Sequence, residues 1–228
     1  MTEPQAEVGR GESKERIYRR LRDWIIYSEL SPGTALNERD LAEKLGISRT
    51  PLREVLQRLH YAGLVDWEPN KGIFVAPIDY LRIREIFEVR VALERTAVSL
   101  ATARATSEQL DELEAILRQC CAAADTDDYG HFIALDAAFH AKIRDIADNS
   151  YLSMLTDNAH NVALRFWYVY RKTLSQTYRD TKNLQDVLDA MRDRDAARAA
   201  AAISAHVVGF LKAFHDQEIQ ALANVMHV

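Results

Sequence analysis

Apolar residues recur along this chain at two rhythms, and the change between them divides it. Ile17, Leu21, Trp24 and Ile25 step round one face at helical spacing, so a first helix is expected over residues 13–30, stopped by Ser31-Pro32-Gly33. A short second helix is expected over residues 38–45, with Asn37 as N-cap and Gly46 supplying the left-handed residue that ends it. Ser48 can cap a third helix, where Pro51 is tolerated in the first turn because its missing N–H would have had no partner there. In that helix Leu52, Val55, Leu56 and Leu59 form one buried stripe, while Arg49, Arg53 and Gln57, spaced by four, line another. The rhythm then shortens. Residues 64–67 and 72–75 flank Glu68-Pro69-Asn70-Lys71, a tight-turn composition that predicts a β-hairpin.

Beyond residue 77 there is no proline, and Gly130 and Gly209 are the only glycines. Long 3.6-period patterns there predict six or seven helices. The first covers residues 80–103, with Leu81, Ile83, Ile86, Phe87, Val91, Leu93 and Val98 as its apolar positions. Thr106 and Gln109 make a capping box for the second, which runs to about residue 124. Asp127 or Asp128 opens a third, ending near residues 148–150. Further helices are expected over residues 151–170, 181–192 and 194–223, the last with Phe210, Leu211 and Phe214 on one face. The expected architecture is therefore mainly α. A disordered tail (1–12) precedes a winged helix-turn-helix (13–77), and an all-α antiparallel helical bundle follows (78–228).

Composition narrows the class. The chain has 228 residues, 48% apolar and 28% charged, which suits a globular protein of one or two domains and excludes collagenous or low-complexity chains. No apolar run approaches the roughly 18–20 residues that span a bilayer, and residues 1–15 lack a signal peptide's apolar core, so a cytoplasmic location and no membrane partner are expected. Cys120 and Cys121 are adjacent, so they make neither a disulfide framework nor a metal knuckle and are read as helix-packing residues.

Charge looks unhelpful until it is divided. The total is −5, from 29 basic and 34 acidic residues, which points away from nucleic acid. Residues 1–77, however, carry 12 of each sign, while residues 78–228 carry 17 basic and 22 acidic. The acidic excess belongs to the helical part, and the N-terminal part gathers arginines on its third helix. Arginine pairs bidentately with guanine or clamps phosphate, and two short helices joined by a glycine turn are how such a helix is presented to DNA.

Two patterns in the bundle carry chemistry. Asp136 and His140, four residues apart, share a helix face and can hold a metal from one side. Arg90 is set among apolar neighbours on a core helix, and a buried arginine needs an acid, either Glu94 or a carboxylate ligand.

The string LAEKLGISRTPLREVLQRL (residues 41–59), Gly63-Leu64-Val65 and Lys71-Gly72-Ile73-Phe74-Val75 closely resemble the DNA-binding domain of GntR-family bacterial transcription regulators. The resemblance implies that Arg39 contacts phosphate or base, and that Arg49 and Arg53 read bases or anchor the backbone. Ser48 and Thr50 would help on phosphate, and Gly72 at the wing tip would enter the minor groove with Asn70 and Lys71 alongside. Arg90 with Glu94, residues 135–152, and the block ending at His206 resemble the FCD effector domain of the FadR subfamily, which implies effector binding and dimerisation.

Many FCD domains bind a divalent metal through an Asp, a His four residues later and two more His. Asp136, His140 and His206 match three of these, whereas Leu184 stands where the fourth would be. That leaves a position for water, an effector carboxylate or another residue such as His160. The expected cofactor is zinc, nickel or manganese; otherwise Asp136 and the two His bond an organic effector directly. A small organic acid would be held with Arg90 and Arg165, or a larger ligand shaped by Phe166, Trp167 and Tyr168. The function implied is a homodimeric, ligand-responsive regulator, a repressor on a palindromic double-stranded DNA operator. A metal-dependent enzyme built on Asp136, His140 and His206 is the alternative. No nucleophile or general base stands at a defined spacing for one, and the DNA-reading module would be unexplained, so an enzyme is not expected.

Overall fold

The computed structural model describes residues 10–126, 128–174 and 181–226. Contacts divide the chain into two compact units, Met1–Ile78 and Asp79–Val228, each with its own core.

In the first unit, α1 (Arg10–Ile26) ends four residues before the expected stop. Ser28 adopts the left-handed conformation at φ 57°, and the Leu30 N–H turns back to the Trp24 carbonyl at 2.9 Å. The chain has therefore left the helix before Pro32. Residues 1–9 of the expected tail lie outside the described residues, and Arg10 to Glu12 are already helical. In α2 (Glu38–Leu45) the Asn37 side chain accepts from the Arg39 and Asp40 N–H groups, and Gly46 at φ 67° closes the helix. Helix α3 (Arg49–Tyr61) buries Leu52, Val55, Leu56 and Leu59, and it packs on α1 and α2. Ser48 holds the N-cap position of α3, but its side chain makes no cap hydrogen bond. The expected capping by that hydroxyl is thus corrected: Ser48 starts the helix through its extended backbone alone. Strands β1 (Val65–Glu68) and β2 (Gly72–Val75) pair antiparallel, with Val65 opposite Val75 and Glu68 opposite Gly72. Asn70, at φ 64°, supplies the left-handed turn residue between them.

The second unit contains α4 (Tyr80–Arg104), α5 (Ser107–Ala124), α6 (Tyr129–Ala147), α7 (Ser150–Leu174), α8 (Lys182–Arg192) and α9 (Ala196–Met226). Helix α4 lies at its centre, packed on α6, α7, α8 and α9. Thr106 and Gln109 form both bonds of the capping box. Asp128 caps α6 by accepting from the His131 N–H at 3.0 Å, while Asp127, the other candidate, lies outside the described residues.

The buried stripe of α4 differs from the apolar list that periodicity suggests. Ile83, Phe87, Arg90, Glu94, Ala97, Val98 and Ala101 are buried, whereas Leu81 and Val89 are exposed and Ile86, Val91 and Leu93 only half-buried. Two charged residues occupy core positions because they neutralise each other and groups on neighbouring helices. Helix α9 carries one segment, Ala196–Asp216, long and apolar enough to cross a membrane by length and composition, although Arg198 and Lys212 interrupt its apolar run. Its Ala199, Ile203, Val207 and Phe210 are buried inside the bundle. Both cysteines are free, and burial pushes the Cys120 thiol up, so it stays a protonated packing group.

Candidate functional site

The first unit presents a cleft of about 610 Å³, bounded by the N-terminal ends of α2 and α3 and by the wing. Arg39, Arg49, Arg53 and Gly72 line it, together with Glu38 and Trp67. The structure thus brings together four of the residues singled out for DNA. Ser48, Thr50, Asn70 and Lys71 are exposed nearby in the sequence but are not among the lining groups. The arginines are held differently. Arg53 donates to both Glu38 carboxylate oxygens, Nε to Oε1 at 2.8 Å and Nη2 to Oε2 at 2.9 Å, and that partner lifts its guanidinium further above its ordinary value. Among the described residues, the Arg39 side chain reaches only Asp40, at 3.7 Å. Arg49 is exposed and makes no hydrogen bond or ion pair among the described residues. Arg58, the third arginine of α3, faces α1, where it bonds Glu15 at 2.5 Å and stacks over the Tyr18 ring. It thus links α3 to α1.

The second unit buries an unusual set of charges. Arg90, Glu94, Asp136, His140, His160, Arg165 and His206 are all nearly inaccessible. Glu94 Oε1 lies 3.5 Å from Arg90 Nε, 3.2 Å from His140 Nδ1 and 4.0 Å from His160 Nδ1. Asp136 Oδ1 lies 2.9 Å from His206 Nε2, and Oδ2 lies 3.8 Å from His140 Nε2. These are ion-pair separations without hydrogen-bond alignment, and both oxygens of Glu94 and of Asp136 are buried and unbonded. One aligned contact within the cluster is Arg90 Nη2 to His140 Nε2 at 3.4 Å. A guanidinium only donates, so Nε2 carries the lone pair and Nδ1 carries the proton, turned towards Glu94.

The same distances fix the ionisation. Burial works to raise the Glu94 carboxyl, but His140, then Arg90 and Arg144, overturn it and hold it at about 2. Burial also opposes ionisation of Asp136, and His206, His140 and Arg90 again prevail and keep it below the carboxylate range. His140 is pushed down by burial against the pull of Glu94 and Asp136, so it is neutral at neutral pH.

Asp136, His140 and His206 each offer an atom within 4.8 Å of the others. One carboxylate and two imidazoles are donors that a first-row ion accepts, and bonds of about 2.0–2.2 Å can draw such a set together. The unbonded Asp136 oxygens fit the same role. Leu184 is fully buried on α8 and offers no donor. His160 joins the cluster from α7, its ring 5.4 Å from that of His140, on the side where Glu94 lies. Arg165 is buried on the same helix. Trp167 packs its ring 5.5 Å from the Arg90 guanidinium. Sequence reasoning passed over Glu38, which reads as an ordinary acid at a helix N-terminus, and Arg144, which periodicity does not separate from a surface arginine.

Residues 13–75 match the family described as bacterial regulatory proteins, gntR family, and residues 85–209 match the FCD domain. The chain is 28% identical over 193 residues to the HTH-type transcriptional repressor RspR of Escherichia coli, covering 85% of each chain. It is 31% identical to the Nta operon transcriptional regulator of Aminobacter aminovorans, over 77% of this chain and 82% of that one. Among solved structures, E. coli McbR/YncC shares the fold with a TM-score of 0.76 at 23% identity, over 90% of this chain and 98% of that one.

Proposed function

The chain belongs to the gntR family of bacterial regulatory proteins, with an FCD domain behind its DNA-binding module, and from that premise we propose that it is a cytoplasmic homodimeric repressor whose operator affinity is set by a small organic acid in the bundle. That it is a transcription regulator with an effector-binding domain, and not an enzyme, follows from the family and its relatives. The observation that carries the DNA-binding part of this reading is the cleft where Arg39, Arg49, Arg53 and the wing glycine converge. Phosphate contacts there supply salt-dependent affinity, and arginine in the major groove supplies sequence choice. One such module reads too few base pairs to be selective, so a two-fold dimer on a palindrome is expected. The name of the relative RspR favours repression.

In the bundle, Asp136, His140 and His206 would hold a divalent ion, which supplies a positive centre for an anionic effector. Arg90 and Arg165 add permanent positive charge, and Glu94 turns His140 so that Nε2 faces Asp136. His160 or an effector oxygen completes the set that Leu184 leaves short. The reading is tested with Arg49→Ala and Arg53→Ala on a duplex that the wild-type protein itself selects from a random-sequence library. Each is expected to cost about 1–3 kcal/mol of specific binding with an unchanged bundle melt. Wild-type affinity in both variants would refute the DNA assignment.

A further inference from the structure

We infer that Glu38 is a specificity-determining positioning residue of the DNA reader: by clamping Arg53 it aims the free end of that guanidinium at a base. The inference rests on the reading of Arg53 as a base contact given above and concerns how that contact is made selective.

The geometry is specific. Glu38 is the first residue of α2 and Arg53 lies on the exposed face of α3, fifteen positions on. Three contacts join them, Nε to Oε1 at 2.8 Å, Nε to Oε2 at 3.0 Å and Nη2 to Oε2 at 2.9 Å. A guanidinium has five N–H groups in one plane. Glu38 engages the Nε edge and one Nη2 hydrogen, which leaves both Nη1 hydrogens and the second Nη2 hydrogen pointing away. Of these three, one Nη1 hydrogen and the second Nη2 hydrogen make the end-on fork that matches guanine O6 and N7. Both residues line the cleft.

The other arginines show what the clamp adds. Arg49, one turn earlier and on the same cleft, has no partner among the described residues, and Arg39 has only a distant one. A free arginine adapts to phosphate wherever the backbone lies, and gains affinity without discrimination. Arg53 is already ordered before DNA arrives, so a mispositioned base cannot recruit it by a change of rotamer. The clamp also puts a carboxylate on the DNA-facing surface, where it repels phosphate and lowers sequence-independent binding. As a link between α2 and α3 alone it would do little, because Arg53 is 64% exposed and exposed ion pairs stabilise weakly.

The test measures binding of the full-length protein to its self-selected duplex and to a scrambled duplex of equal length. It compares wild type, Glu38→Gln, Glu38→Ala, Arg53→Ala and the double variant Glu38→Ala/Arg53→Ala. Removing Glu38 is expected to lower the selected-to-scrambled ratio about tenfold, with scrambled binding equal or tighter and melting nearly unchanged. Glu38→Gln, which keeps the shape but loses the charged bidentate contact, is expected to fall between. In the Arg53→Ala background, removing Glu38 should not lower the ratio further. An unchanged ratio in both Glu38 variants while Arg53→Ala loses it overturns the clamp alone. A loss of equal size with and without Arg53 overturns it as well. An unchanged ratio in Arg53→Ala overturns both the clamp and the base-reading assignment beneath it.

Discussion

His140 stands between two carboxylates, Glu94 towards Nδ1 and Asp136 towards Nε2, and its protonation decides how the bundle answers to acid. Burial lowers it below its ordinary 6.5. The unfolded chain therefore takes up a proton that the native state refuses, and stability is lost as pH falls through about 6.5. Glu94 and Asp136 act lower down. Their folded values are depressed, so the stability they contribute is complete above the ordinary carboxylate range. For Glu94 that contribution is lost as pH falls from its ordinary 4.5 towards about 2. The melting temperature of the bundle, taken with chelator present, should fall in two stages, and His140→Gln should flatten the upper one. A melt independent of pH between 7 and 5 in the wild type would contradict this assignment. The residue scale was partly legible in sequence: Arg90 among apolar neighbours demanded an acid, and Glu94 supplies it at 3.5 Å. Glu38 was not, because nothing in its spacing from Arg53 reveals that α2 and α3 bring them together.

At the scale of elements, the ends of α2, α5 and α6 follow the chemistry of their capping side chains. Gly46 is left-handed at φ 67° with open space around the position of a Cβ. Gly46→Ala is thus expected to destabilise the first unit by about 1–2 kcal/mol through backbone strain alone, readable as a lowered thermal or denaturant midpoint without loss of helix content. The hairpin, α2, α3 and the capping box of α5 could be placed from turn residues and caps. Helix α4 could not be read so simply. Its buried face passes through Arg90 and Glu94 while Leu81 faces solvent and Val91 is only half-buried, since a charged pair set at ion-pair distance from groups on α6 and α7 takes core positions on the helix. Ser48 shows the converse, a residue of capping type whose hydroxyl is not used.

At the scale of the whole molecule, a DNA-reading unit and a sensing unit are joined near residue 78, and regulation requires that occupancy of one change the affinity of the other. The proposed metal donors lie on α6 and α9, and the buried cluster adds Glu94 and Arg90 from the central α4 and His160 from α7. A ligand bound there would face groups from α4, α6, α7 and α9. Asp136→Ala and His206→Ala should abolish the thermal shift produced by zinc, nickel or manganese while leaving DNA binding by the metal-free protein intact; an undiminished shift in both would move the metal elsewhere. The central claim, that this buried cluster controls the DNA reader, is tested most directly by one titration. Affinity of the full-length protein for its self-selected duplex is measured by fluorescence anisotropy with and without zinc plus citrate, in the wild type and in Asp136→Ala/His206→Ala. The account predicts a change of about 5- to 150-fold in the wild type and none in the variant. The same affinity under all four conditions would contradict it.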